Sequence, residues 1–144
     1  MKWLLAAHFI AFAMGVGMSF SNLVNIRLAM RHGGERAAGL ALLRGALGRI
    51  GDWVIAAIWI TGIGVLVPLL GGHGLAAMGD LPVTFHIKLL FATTLTLCHA
   101  GARLTAAKIA RSGRTGLLRV VQTCTLGVFL SALLAIALAV ASFG

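Results

Sequence analysis

Four long apolar runs divide the chain, and each has the length that a helix needs to cross a membrane. They lie at Trp3–Leu28, Arg49–Leu70, Pro82–Thr105 and Leu118–Ser142. A membrane helix needs about 20 mostly apolar residues. The three connecting segments are Ala29–Gly48, Gly71–Leu81 and Ala106–Leu117. Because these segments are short, the pattern predicts one domain over residues 1–144, an all-α integral membrane four-helix bundle.

The composition supports a membrane protein and changes how the positive net charge is interpreted. Of the 144 residues, 60% are hydrophobic and 10% are charged, whereas a soluble domain carries about 25% charged residues. The formal net charge is +9, which in a soluble protein would suggest nucleic-acid binding. Here the basic residues collect between the apolar runs, so we expect the lipid bilayer, and no nucleic acid, as the partner.

The positions of the basic residues also predict an orientation. The first and third connections are rich in Lys and Arg, whereas the second carries only Asp80 and the titratable His73. Basic loops stay on the cytoplasmic side. We therefore expect a multi-pass protein of the bacterial inner (plasma) membrane, with the N- and C-termini outside, in the periplasm.

The first span carries a stripe of polar and small residues. His8, Gly15 and Asn22 recur every seven residues, with Ser19 and Asn25 beside them at helical spacing. Small residues let helix backbones approach closely, and Ser and Asn can hydrogen-bond between helices. Packing explains Gly15, Ser19 and Asn22, but it does not require an imidazole, so His8 is a candidate functional residue.

The third span is unusually rich in nitrogen bases, with His86, Lys88, His99 and Arg103. Lys88 and His99 are eleven residues apart, so they share one helix face at a separation of about 16 Å, whereas His86 lies on a different face from His99. Arg103 lies near the cytoplasmic end, where its side chain is expected to reach back to the interface.

Two of these histidines occupy equivalent places in their spans. His8 follows Trp3 by five residues and His86 follows Pro82 by four, so both are expected at similar depth in the outer leaflet. Two imidazoles that face each other across a bundle can ligate a haem iron axially. Lys88 would then contact propionates or an anionic porphyrin, and Arg27 could do so near the cytoplasmic face.

The second span opens with Arg49, Asp52 and Trp53 at helical spacing. The simplest interpretation of Asp52 and Arg49 is a local ion pair on one helix. Trp53 is expected to be an interfacial anchor.

Motifs in three spans are similar to those of one known family: the third span has the family's order and spacing, whereas Arg27 and His32 fall three positions later than the family's spacing from His8. The motifs are Phe85-His86-Ile87-Lys88-Leu89 with a second histidine at His99, Trp3 with His8, Arg27-x4-His32, and Arg49 with Thr61-Gly62-Ile63-Gly64. On these residues the chain resembles the HemJ-type membrane protoporphyrinogen oxidases, small four-helix proteins that are related in architecture to CopD-like membrane domains.

The resemblance implies haem b as the cofactor and a six-electron oxidation of protoporphyrinogen to protoporphyrin. Electrons would pass to a quinone or another respiratory-chain acceptor. His8, His86 and His99 would be the cofactor-binding candidates, with His8 and His86 on the haem iron, and Lys88 and Arg27 would contact the substrate or the propionates.

Two alternatives remain open at the level of the sequence. Gly15 stands where the family has Trp, and the chain has no Tyr. These departures favour a non-catalytic CopD-like accessory subunit, in a homo-oligomer or a larger membrane complex. A copper carrier that binds through His8, Met14 and Met18 is the third hypothesis, since thioether and imidazole groups suit copper.

Overall fold

The computed structural model describes residues 2–32, 34–70, 74 and 78–141. Its main elements are α1 (Lys2–Arg31), α2 (Gly34–Leu70), α3 (Val83–Ser112) and α4 (Leu118–Ala141), and a short 3₁₀ turn, Thr115–Leu117, precedes α4. All four helices are long and apolar enough to cross a membrane. The predicted all-α, four-helix architecture is confirmed. His73, and Ser142 at the end of the fourth predicted span, lie outside the described residues.

Helix α2 is much longer than the sequence pattern predicted. It contains 37 residues, which corresponds to about 55 Å of helix against a hydrocarbon core of about 30 Å. The predicted connection at 29–48 is therefore wrong, because the described part of it is helical apart from His32. The prediction ended the element where the charges begin, but Ala, Leu, Glu and Arg are the strongest helix formers and continue the helix beyond the apolar run.

Two glycines with left-handed backbones make the short turns at one end of the bundle. Gly34 has a φ of 61° where α2 follows α1, and Gly113 has a φ of 66° where α3 ends. The Gly113 N–H donates to the carbonyl oxygen of Ile109 at 2.8 Å and caps the last turn of α3. Glycine adopts this conformation at little cost, so the chain reverses direction here within a few residues.

The helices pack unevenly. α1 packs along α2 and α4, and α3 packs along α4, whereas α2 and α3 approach each other closely at few places. The central core is built from apolar side chains of all four helices: Ala11, Phe12, Val54, Ile58, Leu95, Val128, Ala132 and Ala135. The bundle is thus two helical hairpins joined along α1 and α4, with a looser seam between α2 and α3.

Small residues set the close helix contacts. A Cβ atom added to Gly15 of α1 would lie 3.5 Å from a methyl group of Val54 on α2, and Gly15 and Ser19 are both buried. The packing role predicted for these two residues is confirmed. On the other side of the bundle, the sulfur of Cys98 lies against Gly127, and the sulfur of Cys124 lies against Gly101, so α3 and α4 interlock reciprocally.

Contacts between neighbouring helices divide the bundle into two halves. His8 of α1 lies beside Thr61 of α2, and we call this end, with the start of α1 and the connection from α2 to α3, the His8 half. Asp52 of α2 lies beside His99 of α3, and we call this end, with the other two connections, the basic half.

Candidate functional site

In the His8 half, the imidazole of His8 is held by α2. Its Nδ1 lies 2.8 Å from the Thr61 hydroxyl oxygen, and a Cβ added to Gly62 would lie 3.1 Å from the imidazole Cε1. The Phe12 ring packs edge-on against the imidazole, with centroids 5.1 Å apart. The absence of a side chain at Gly62 therefore makes room for the imidazole, and Thr61 fixes its orientation.

The hydrogen bonds of Thr61 define the tautomer of His8. The hydroxyl donates its proton to the carbonyl oxygen of Ala57 at 2.5 Å, with a weaker contact to that of Ile58 at 3.3 Å. A hydroxyl has one proton to donate, so its oxygen accepts from His8. Nδ1 of His8 therefore carries a proton, and in the neutral imidazole Nε2 holds the lone pair.

The other predicted residues of this half lie on α3. His86 is exposed, and its Nδ1 lies 3.3 Å from the carbonyl oxygen of Pro82 on its own helix. Lys88 is half-buried. The contacts of Asp52 with His99 and of Trp59 with Thr96 set the register of α2 and α3. In this register His86 lies nearer the end of the bundle than His8 by one to two helical turns.

Arg27 lies far from these three residues. It is exposed near the end of α1, in the basic half. Lys88 and Arg27, the residues predicted to contact the substrate or the propionates, are therefore at opposite ends of the bundle.

In the basic half, Asp52 connects α2 to α3. One carboxylate oxygen accepts from Nε2 of His99 at 2.7 Å, and the other accepts from Arg103 at 3.1 Å. The predicted local ion pair with Arg49 is wrong, since Arg49 is exposed and Asp52 turns to α3 instead. Arg103 also bonds Asp52 across the seam between α2 and α3, a partner that the prediction of an interfacial side chain did not include.

Two glycines of α2 make room for this network. A Cβ added to Gly51 would lie 2.6 Å from His99 Cε1, and one added to Gly48 would lie 2.7 Å from a guanidinium nitrogen of Arg103. The sequence signal was a glycine pair, Gly48 and Gly51, on the turn of α2 that precedes Asp52. It marks a face that receives large side chains from a neighbouring helix.

A cavity of about 530 Å³ lies beside this network, within the range of small-molecule sites in proteins. All four helices line it, and its polar lining includes Asn22 of α1, Arg44 of α2, and His99 and Arg103 of α3. Sequence reasoning assigned Arg44 to a loop and therefore missed it. Met18 lines the same cavity, whereas Met14, the other thioether of the copper hypothesis, is half-exposed.

Several polar atoms at the cavity end of α1 and α2 are buried without a partner. They are Oδ1 of Asn22, both amide atoms of Asn25, and one guanidinium nitrogen of Arg44. Asn25 is 3% exposed. Buried polar groups in proteins are almost always hydrogen-bonded, so this part of the bundle has unused donors and acceptors beside an open space.

The fold and the site together define a class: a four-helix chain, able to span a membrane, with a histidine fixed in one half and a cation-lined cavity in the other. Among the described residues, no three His, Cys, Asp or Glu side chains converge as a metal site would require. Compared with family models, with curated proteins and with solved structures, the chain matches none.

Proposed function

We propose that the chain is a multi-pass protein of the bacterial inner membrane, with both termini outside, that binds haem b. It acts as an oxidoreductase similar to the HemJ-type protoporphyrinogen oxidases. A porphyrin is its substrate, and a quinone or another respiratory-chain component accepts the electrons. Bound haem supplies one-electron transfer, since its iron alternates between two oxidation states.

The observation that carries the proposal is the hydrogen bond between His8 and Thr61. Histidines that bind metals commonly donate their other ring N–H to an acceptor, which fixes the tautomer and the ring orientation. Thr61 does this for His8 and leaves Nε2 as the lone-pair nitrogen. The half-buried His8 ring packs against Phe12 of the apolar core and keeps its Nε2 lone pair, which suits a haem ligand.

His86 fits the second ligand position chemically. Its Nδ1 faces a carbonyl oxygen, which can only accept, so Nε2 again carries the lone pair. His99 fits less well because its Nε2 donates to Asp52. Lys88 is close to His8 in depth and suits a propionate or a porphyrin carboxylate, whereas Arg27 would contact a group at the basic end.

The test is a reduced-minus-oxidised absorption spectrum of the protein purified in a non-ionic detergent and supplemented with haem. We expect the Soret and α bands of a b-type haem, and we expect His8→Ala to remove most of the signal. His32→Ala is the matched control, because His32 is exposed and contacts the Leu28 carbonyl of its own helix. Absence of b-type bands in the parent protein, or equal signals in both variants, would refute the proposal.

A second candidate is a non-catalytic accessory subunit of a larger membrane complex. The observation that favours it is that His8 and His99 both already have polar partners on α2, as expected of residues that lock helices together. This function predicts that the protein co-purifies with a membrane complex and that a His8→Ala, His86→Ala double variant stays in that complex. Loss of assembly together with loss of haem would contradict it.

A further inference from the structure

Within the described part of the chain, Arg44 has no anionic partner. It lines the cavity, and one of its guanidinium nitrogens is buried with no hydrogen-bond partner. Arginine stays charged in proteins. A buried charge is costly unless it is paired, so the cavity is expected to receive a negative group.

The acidic side chains of the chain do not supply that group. It has three acidic residues. Asp52 already accepts from His99 and Arg103, Glu35 is exposed more than two turns earlier on α2, and Asp80 lies at the opposite end of the bundle. No acidic side chain of the chain therefore neutralises Arg44.

The cavity is polar at one end and apolar at the other. Towards the middle of the bundle its walls are Gly15, Ile58, Leu95 and Val128. Arg44 and Asn22 lie on the other side, where the cavity reaches the surface between α2 and α3. The exposed residues that line this mouth are Ala41, Leu104, Ala107 and Ala110.

The mouth lies at the depth of lipid head groups. About 20 residues of helix cross the hydrocarbon core, so a span that begins at Val83 reaches the far interface near Ala102. Leu104 and Ala107, which line the mouth of the cavity, come shortly after Ala102 on α3. A molecule in the cavity would place its charged end beside Arg44 at the interface and its apolar part in the middle of the membrane.

We propose that this cavity binds an amphipathic anion, with a carboxylate or phosphate head on Arg44 and an apolar body between the four helices. A guanidinium binds both head groups through charge-assisted hydrogen bonds. The Asn22 amide oxygen, which has no partner, accepts from a protonated oxygen or from a water on the head group. The ligand enters sideways between α2 and α3, where the helices are least closely packed.

The test uses cis-parinaric acid, a fluorescent long-chain carboxylate, with the full-length protein in a non-ionic detergent. We expect saturable binding at one site per chain. Arg44→Gln should weaken it by about tenfold to a hundredfold, the value of a hydrogen bond to a charged group. Arg49→Gln, which removes an exposed arginine from the same helix outside the cavity, should change the affinity less than twofold.

Displacement of the probe distinguishes the head group and its source. Palmitate and lysophosphatidic acid should displace it, and the stronger competitor shows whether the head is a carboxylate or a lipid phosphate. Hexadecanol, which has the same chain length without the charge, should displace it weakly. Equal displacement by hexadecanol, or equal affinities of Arg44→Gln and Arg49→Gln, would overturn the proposal.

A second pair of variants tests the position of the ligand without touching a charge. Gly45 lines the cavity, and a Cβ there would meet nothing within 4 Å, so Gly45→Leu fills the cavity without a clash at its first atom. Gly39, exposed on the same helix and equally open at its Cβ, is the control. Binding should be lost in Gly45→Leu and kept in Gly39→Leu when circular dichroism gives both the same helix content. Retained binding in a folded Gly45→Leu variant would contradict the assigned position.

Discussion

The two halves of the bundle each fix a histidine against α2, but they do so with different chemistry. His8 is held by a neutral hydroxyl, Thr61, whereas His99 is held by a carboxylate that also binds Arg103. In both places a glycine of α2, Gly62 or Gly51, gives the ring room. The neutral partner leaves His8 with an unused lone pair, while the charged partner makes His99 part of an ion-pair network. The same packing device therefore leaves a ring nitrogen of His8 without a bond to α2 in one half and joins His99 to a charged partner in the other.

The largest expected effect comes from breaking the charged network. Asp52→Asn removes the anion that two cationic or polar side chains share, so the free energy of unfolding should fall by about 1.5–3 kcal/mol. It can be measured from thermal or denaturant unfolding in detergent, followed by circular dichroism. Asp80→Asn, at an exposed position, is the control and should change stability by less than about 0.5 kcal/mol. Similar stability of the two variants would mean that Asp52 does not hold α2 to α3.

The two glycine pockets can be compared directly by adding one methyl group to each. Gly51→Ala places a carbon 2.6 Å from the His99 ring, so it should destabilise the protein by about 1–3 kcal/mol. Gly62→Ala places a carbon 3.1 Å from the His8 ring, and we expect the gain in helix propensity to offset much of the strain. Gly39→Ala, which meets nothing, should stabilise α2 by about 0.5–1 kcal/mol. A different order of the three unfolding free energies would show that the rings are not seated in these pockets.

The smallest effect is expected from the neutral hydrogen bond. Thr61→Val removes the acceptor of His8 while keeping the shape of the side chain, and the net loss should be about 1 kcal/mol. Thr93→Val on α3 is the matched control, since that exposed hydroxyl bonds only the Leu89 carbonyl of its own helix. If haem binds as proposed, Thr61→Val should also weaken haem binding, whereas Thr93→Val should not. Equal stability and equal haem content of the two variants would show that the hydrogen bond from His8 to Thr61 does not prepare His8 to bind haem.

The sequence predicted the fold because the signal for a membrane helix is long and local. Four apolar runs were enough to predict α1 to α4. The ends of the helices were less predictable. Residues 34–48 form the first part of α2, although their charges suggested a loop. Predicting where a helix continues beyond the membrane requires helix propensity as well as hydropathy.

The site was predictable in part. His8, His86 and His99 were singled out because imidazoles are rare in apolar spans, and Gly15 and Ser19 in the polar, small-residue stripe of α1 correctly indicated close packing. The partner of Asp52 could not be inferred from spacing along one helix, because His99 and Arg103 come from another helix and the register between the two is set by tertiary contacts. Arg44 was missed because its helix was predicted as a loop.

The seam between α1 and α4 has a consequence for how the protein is made. About a hundred residues separate the middles of these two helices in sequence, yet the helices pack along each other and share the core. That contact can form only after α4 has been synthesised, whereas the α1–α2 hairpin, closed by a very short turn, can form early. Until α4 arrives, the inner face of α1, with Asn22 and Asn25, has no permanent cover. A chain that loses its last helix would therefore expose these amides to lipid and become a substrate for membrane quality control.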